Sequence, residues 1–490
     1  MTVFKINPFR ATPNVSLYQA LYTHMREAIL SGELKGGMKL PSTRALADEL
    51  NISRNTVLNA YRQLLAEGYL EGREGSGTFV ASILPETFLM ASHHTTPKIA
   101  RPHQAESPRP IFSERAKAQM AVSQGPTGGK SPRPFLAETP ALDAFPYKLW
   151  SRIIVRQARR MPASNFMYQD SSGYRPLREA IAAHVAVSRQ VHCTPEQVMI
   201  VPGSQAALDL AARMLVNAGD PVWMEEPGYP GARGALLGSG AHIIPVPVDN
   251  EGLVVEAGVA RAPKARLVYI TPSHQFPLGV TMSISRRLAL LDWAKRTNAY
   301  ILEDDYDSEF RFAERPLATL QGLDQADRVI YIGTFSKVLF PSIRIGYLIL
   351  PPALVDPFLK VRRLIDTHSP MLEQAVLADF IIEGHYIRHL RRMRTLYAER
   401  RSALLEATAN LPLEIYSPEA GIHCVGWLPN GMDDVTLGNK AADFDLELTP
   451  ISAFSIKPLV RKGLLLGYGG YNGQEIKNGA RRLGALLQSF

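Results

Sequence analysis

From about residue 132 to the C-terminus, short apolar runs rich in β-branched residues alternate with helical stretches, and that alternation leaves few folds open. The runs include EQVMIVPG, PVWMEEPGY, RLVYITPSHQ, AYILEDDY, RVIYIGTFSK and RIGYLIL. Between them lie segments such as SQAALDLAARMLVNAG and SRRLALLDWAKRTN, whose apolar residues recur at helical spacing. Strands apolar on both faces and joined through helices predict an α/β domain with a mainly parallel sheet, covered on both sides. Ligands of open α/β sheets bind beyond the carboxyl ends of the strands. ITPSHQ, LEDDY and GTFSK would gather their polar side chains there.

Such a gathering has a definite chemistry. Lys337, at a strand end and shielded by Phe335 and Leu339, has a destabilised ammonium form, so its amine can attack a carbonyl. Asp304, from a neighbouring strand end, can pair with a protonated pyridine nitrogen, and Arg344 with the Thr334 hydroxyl can hold a phosphate. Ser204 and Gln205 open a helix after a strand, where free N–H groups and the helix dipole attract the same phosphate. Tyr229 offers a ring to stack and Tyr306 a phenol to reach a 3-hydroxyl. The combination describes a site for pyridoxal 5'-phosphate. Singly, each residue has an ordinary explanation as a snorkelling lysine, a solvated turn acid or a helix cap. Their joint occurrence in chain order carries the reading.

The N-terminal part is built differently. SLYQALYTHMREAILSGEL places Leu17, Leu21, Met25, Ala28 and Ile29 at helical spacing between Ser16 as cap and Gly32 as stop. Ser42 caps a short second helix, NIS turns the chain, and RNTVLNAYRQLLAEG forms a third helix stopped at Gly68, with Val57, Tyr61, Leu64 and Leu65 as its buried stripe. YLEGREGSGTFVA then predicts a two-stranded wing. Three helices and a wing make a winged helix-turn-helix of α+β type, whose recognition helix enters the major groove of DNA. Arg54, Asn55 and Thr56 at the start of that helix are candidates to meet phosphates and base edges, with Arg44 and Arg73 as backbone contacts.

At 490 residues the chain needs more than one domain, and we place the head at 12–81, a linker at 82–131 and the large domain at 132–490. The linker is rich in Pro, Ser, His and basic residues without sustained periodicity. Its GPTGGKS resembles a phosphate-binding loop, yet position 124 is Gln and no strand precedes it. No apolar run approaches the roughly 18 residues of a membrane span. Two cysteines cannot form a disulfide framework, so a cytoplasmic protein with no membrane partner and no metal is expected. A net charge of +8 permits a polyanionic partner without requiring one.

LPSTRALADELNISRNTVLNAYRQLLAEGYLEGREGSGTFV resembles, nearly position by position, the DNA-binding head of the GntR family of bacterial regulators. Residues 132 to 490 resemble fold-type I aminotransferases, and TPSHQFPLG, EDDYDSEFR and GTFSKVLFPSIRIGY resemble the version fused to such a head in MocR-type regulators. The first resemblance implies binding of double-stranded operator DNA as a dimer through Arg44, Ser53, Arg54, Asn55, Thr56 and the wing glycines Gly75 and Gly77. The second implies that Lys337 carries pyridoxal 5'-phosphate as an internal aldimine, that Asp304 pairs with its ring nitrogen, and that Ser204, Gln205, Thr334 and Arg344 hold its phosphate. Together they imply a head-to-tail homodimer, associated with the bacterial nucleoid when DNA-bound, that responds to the cofactor or to a small amino compound.

Three positions depart from the aminotransferase pattern. Phe276 stands where an asparagine contacts the 3-hydroxyl, leaving His274 or Gln275 as substitutes. Leu465 falls where an arginine grips the substrate carboxylate, with Arg461 as a replacement. Gly231 occupies the position of an arginine found in GABA-responsive members, with Arg233 farther on. These losses favour a regulator over the alternative, a turnover aminotransferase carrying a DNA-binding head.

Overall fold

The structure is a computed structural model that describes residues 16–73, 76–82, 84, 110–122, 133–312, 318–418 and 420–490. Its contacts divide the chain into two units, Met1–Pro110 and Ile111–Phe490. Gly75 and the GPTGGKS stretch lie outside the described residues.

In the first unit α1 spans Leu17–Leu30, α2 Thr43–Leu50 and α3 Arg54–Ala66. Ser42 caps α2 by accepting the Ala45 N–H at 3.2 Å, and Asn51, at φ 53°, takes the left-handed conformation that ends it. Leu21, Met25, Ile29, Leu46, Val57, Tyr61 and Leu64 pack into one core, and the Tyr61 hydroxyl donates to the Pro41 carbonyl at 3.0 Å. Leu17 and Leu65 do not join it, being 47% and 38% exposed. Leu17 starts its helix beyond the packed turns, and Leu65 lies one helical step round from the stripe of Val57, Tyr61 and Leu64. The wing is an antiparallel pair, β1 Leu70–Arg73 and β2 Gly77–Val80, with Arg73 opposite Gly77.

The second unit is built on an eight-stranded sheet. Its strands are β3 Val198–Val201, β4 Pro221–Glu226, β5 His242–Asp249, β6 Gly252–Leu253, β7 Leu267–Ile270, β8 Tyr300–Asp305, β9 Val329–Thr334 and β10 Gly346–Ile349. They lie in the order β3-β10-β9-β8-β7-β4-β5-β6. The pairings from β5 through β4, β7 and β8 to β9 are parallel, while β10 is antiparallel to both its neighbours. Residues of one strand alternate between two cores: Met199 and Val201 join one, Val198 and Ile200 the other. Trp223 from the sheet stacks on Trp293 of the covering helix Ile284–Thr297, with ring centroids 3.9 Å apart.

A second sheet, antiparallel, follows near the C-terminus. It contains β11 Glu414–Tyr416, β12 His423–Trp427, β13 Thr449–Pro450 and β14 Gly463–Gly467 in the order β11-β12-β14-β13. These strands run two to five residues, too short to show a period in the sequence.

The stretch read as a linker also holds structure. Helix α4, Glu114–Met120, is capped by Ser113 and lies against the helix Pro230–Gly238, where the Gln119 amide donates to the Gly234 carbonyl at 2.9 Å. It has no buried residue, so no apolar stripe announced it. Among the described residues no helix is long and apolar enough to cross a membrane.

Candidate functional site

The carboxyl ends of β8 and β9 converge with the start of the helix after β3. Ser204, Gln205, Tyr229, Asp304, Tyr306, Thr334, Lys337 and Arg344 line one pocket of about 120 Å³. Thr334 is the last residue of β9, and Lys337 follows in the loop beyond it.

Strand alternation selects which acid of LEDDY faces the pocket. Asp305 turns to the opposite side, where it accepts from Arg189 at 3.0 Å and from the Tyr331 hydroxyl at 2.6 Å. Glu303, on the same side as Asp305, accepts from the backbone N–H groups of Leu320 and Gln321. Asp304 remains, accepting from the Tyr269 hydroxyl at 2.9 Å through one oxygen, while the other is buried with no protein partner. Burial raises its pKa to about 7, the Tyr269 bond opposes that, and the charges of Asp305, Glu138 and Asp307 add to it.

The opposite wall has the groups to hold an anion. Ser204 begins the helix Ser204–Leu215 behind Gly203, whose φ of +87° leaves the helix N-terminus open. A Cβ on Gly203 would lie 2.8 Å from the Arg344 guanidinium, so a larger residue there would have to displace that cation. Arg344 donates to the Pro202 carbonyl at 3.2 Å, and the Ser336 hydroxyl is buried nearby without a partner. A buried acid with one unmatched oxygen, facing a helix N-terminus, an arginine and hydroxyls, fits a protonated pyridine carrying a phosphate. These residues fit pyridoxal 5'-phosphate.

Lys337 does not have the surroundings its sequence suggested. Phe335 and Leu339 are buried in the core, whereas the amine extends to Glu138, 3.2 Å away, with both side chains about a quarter exposed. An acid rather than an apolar shell faces the lysine.

In the first unit Arg44, Arg54 and Asn55 are exposed, the last two on the opening turn of α3. Ser53 is committed locally: its hydroxyl accepts the Thr56 N–H at 3.1 Å and meets the Thr56 hydroxyl at 2.8 Å, so both cap the helix. The Arg73 guanidinium lies over the Phe79 ring, 4.6 Å from its centroid, and 3.9 Å from Glu71. Gly77 has a φ of +109° at the wing.

Residues 17–80 match the family of bacterial regulatory proteins known as gntR, and residues 146–457 match aminotransferase class I and II. The probable rhizopine catabolism regulatory protein MocR of Rhizobium meliloti is 41% identical over 475 residues, covering 96% of this chain and 93% of that protein. The chain belongs to the MocR-type regulators of the GntR family. The pyridoxine biosynthesis transcriptional regulator PdxR of Corynebacterium glutamicum is 30% identical, covering 95% of this chain and 94% of its own. Kynurenine aminotransferase of Pyrococcus horikoshii, solved with PMP, is 28% identical with a TM-score of 0.68, covering 78% of this chain and 95% of that one. A GntR-type head implies DNA binding, and the aminotransferase fold with the pocket above supports pyridoxal 5'-phosphate as the cofactor.

This MocR-type regulator settles its departures from the aminotransferase pattern in specific ways. His274 is not in the pocket wall. It stands behind Tyr306, with Nδ1 3.0 Å from the Tyr306 hydroxyl and 2.9 Å from Asp307, so the tyrosine lies between it and the pocket. Gln275 is occupied by the Pro227 and Phe276 carbonyls at 2.9 and 2.7 Å. Leu465 lines a larger adjoining cavity, while Arg461 pairs with Glu414 away from it and Arg233 donates to the Ser455 carbonyl at 3.3 Å. Among the described residues no arginine reaches the wall of that cavity.

Glu138, Tyr269, Thr271 and Ser336 also line the cofactor pocket of the regulator, and the sequence reading passed over them. Tyr269 was accessible in principle, since it precedes ITPSHQ on a strand whose neighbour carries Asp304. Glu138 was not: it lies in no periodic segment and meets Lys337 across almost two hundred residues.

Proposed function

We propose that this chain is a transcriptional regulator that binds double-stranded operator DNA as a head-to-tail homodimer and senses pyridoxal 5'-phosphate, or an amino compound reacting with it, in its large unit. When bound, the cofactor supplies an aldehyde on a pyridine ring, which condenses reversibly with amines. Lys337 is the amine that the chain itself offers. Asp304 holds the ring-nitrogen proton, Ser204, Gln205, Thr334 and Arg344 take the phosphate, Tyr229 stacks on the ring, and Tyr306 faces the 3-hydroxyl with His274 as its positioning residue. In the head, Arg44, Arg54, Asn55 and Arg73 contact DNA, Ser53 and Thr56 set the start of the recognition helix, and Gly75 and Gly77 shape the wing. The work is done in the cytoplasm, at the nucleoid.

The observation that carries the reading is the union of a helix-turn-helix head with a pocket whose residues fit the cofactor, beside a cavity with no arginine among its described lining residues. Such a pocket can hold a reacting amine without the grip that sustained transamination requires. The names of both relatives above point the same way, toward regulation of catabolism in one and of pyridoxine biosynthesis in the other. An effector amine competes with Lys337 for one position, so the bound states differ in what Lys337 touches, and that difference is what a ligand needs to shift an equilibrium.

Footprinting on DNA flanking its own gene, with and without pyridoxal 5'-phosphate and candidate amines, tests the proposal. Binding should change with ligand, and Lys337→Ala should abolish the change. The reading fails if Lys337→Ala leaves cofactor retention and ligand-dependent DNA binding as they were, and sustained multiple turnovers on amino acids would favour an aminotransferase instead.

A further inference from the structure

We propose that the effector of this regulator is an amine without a carboxylate, carrying a further N–H or O–H donor, and that Glu138 is its polar anchor. The proposal rests on the reading of the large unit as a pyridoxal-phosphate sensor and specifies what that sensor accepts.

Beside the cofactor pocket lies a cavity of about 460 Å³, and Glu138, Gln205, Tyr229 and Phe276 line both spaces. A ligand whose amine reaches the cofactor places the rest of its body here. Among the described residues no lysine, arginine or histidine lines this cavity. Leu465 forms part of its wall within an apolar cluster with Phe276 and Phe454. A carboxylate entering the cavity would find no cation in that described wall to replace its hydration, the Lys337 ammonium at the junction being paired with Glu138.

What the cavity does present are acceptors. Gln205 and Gln119 each donate from the side-chain nitrogen to a backbone carbonyl, of Gly231 and Gly234 respectively, both at 2.9 Å, which leaves each side-chain oxygen as an acceptor for a ligand. Glu138 is the one carboxylate among the described residues of the wall, and the structure already shows what it holds, an ammonium: Lys337 Nζ lies 3.2 Å from its Oε1. The backbone at Glu138 has a φ of +62°, a left-handed conformation that is costly for any residue with a Cβ and persists only where the surroundings impose it. An acid is therefore held, against local preference, at the junction of the two spaces. Asp304 lies in the adjoining pocket, and its burial-raised pKa is pushed up further by Glu138, so the site already carries mutual repulsion between acids that a ligand carboxylate would increase. A ligand ammonium or hydroxyl relieves it.

The test uses the full-length protein loaded with pyridoxal 5'-phosphate and two matched pairs of ligands, alanine against alaninol and lysine against cadaverine. Half-saturation is read from the cofactor absorption band and, independently, from the rise in unfolding temperature. The carboxylate-free member of each pair should half-saturate at a concentration at least about tenfold lower. Glu138→Gln should reduce that ratio by at least about fivefold, and Glu138→Gly, which removes the acid and relieves the backbone together, should do the same in a variant expected to fold. Equal or tighter binding of the amino acids to the natural protein, or a ratio unchanged in both variants, overturns the proposal. A protein that takes up no cofactor, or whose band responds to none of the four ligands, overturns the underlying sensor reading as well, and the two failures are told apart by the presence of the band and its response.

Discussion

The Tyr269 hydroxyl donates to Asp304 at 2.9 Å, and the other oxygen of the same carboxylate is buried with nothing in the protein to match it. This arrangement ties stability to pH. Burial raises the Asp304 pKa from 3.8 to about 7, so between those values the folded protein holds a proton that the unfolded chain has released. Stability is then greatest below the unfolded value and declines as pH rises toward 7, by about 2 to 4 kcal/mol for this one group. Denaturant titrations of cofactor-free protein across that range should show the decline. Asp304→Asn should lessen it without removing it, since burial also raises Glu225 to about 8 and Glu303 to about 7, and loading with pyridoxal 5'-phosphate should likewise remove the share of Asp304, because a ring N–H stabilises the ionised acid.

Gly203→Ala should weaken the phosphate cradle without replacing any side chain that bonds the ligand. The new methyl group would lie 2.8 Å from the Arg344 guanidinium, and the backbone there has a φ of +87°. Strain of about 1 to 2 kcal/mol is expected from the conformation alone. Displacement of Arg344 should lower cofactor affinity by about tenfold or more, measured by fluorescence titration. An unchanged dissociation constant would place the phosphate elsewhere.

The head separates capping from recognition. Ser53→Ala removes the acceptor of the Thr56 N–H and should cost about 1 kcal/mol of local stability, seen as faster amide exchange over the first turn of α3. Arg54→Ala should leave that exchange alone and instead reduce the salt dependence of DNA binding by about one ion. If Arg54→Ala left both affinity and salt slope unchanged, the exposed start of α3 would not be the DNA-facing surface.

Legibility in the sequence followed physical period. Strands β7, β8 and β9 are continuous apolar runs with polar ends, so their parallel pairing and the meeting of Asp304, Thr334 and Lys337 could be read from composition and order alone. The caps Ser42 and Ser53 could be read because a hydroxyl before a helical stripe has a mechanism. Glu138 could not, since its position depends on a left-handed backbone within an irregular segment. His274 was assigned to the cofactor from its place in the chain, yet the loop turns it behind Tyr306 onto Asp307, a fact that only three-dimensional packing decides. Helix α4 escaped notice because it buries nothing and is held by a side-chain bond from Gln119 to a backbone carbonyl.

The last prediction concerns that hidden pair. His274 Nδ1 lies 3.0 and 2.9 Å from the two Asp307 oxygens, both side chains are only 1% exposed, and Tyr306 reaches the same nitrogen at 3.0 Å. Burial raises the Asp307 pKa while the charge and hydrogen bond of His274 pull it down. His423 stands 4.9 Å away, ring to ring, with its pKa lowered by burial first and by His274 next, so it offers no countercharge. Asp307→Asn therefore removes the acid of a buried pair, and such losses cost about 3 kcal/mol, measurable by denaturant unfolding. The same change loosens the imidazole that lies against the Tyr306 hydroxyl, so cofactor affinity should fall by roughly tenfold. If Asp307 acts on Tyr306 only through the imidazole, His274→Ala should reproduce the loss of affinity, and the double variant should lose little more than either single one. Additive losses in the double variant would mean that Asp307 and His274 influence the pocket by separate routes, and the relay from Asp307 through His274 to Tyr306 would have to be abandoned.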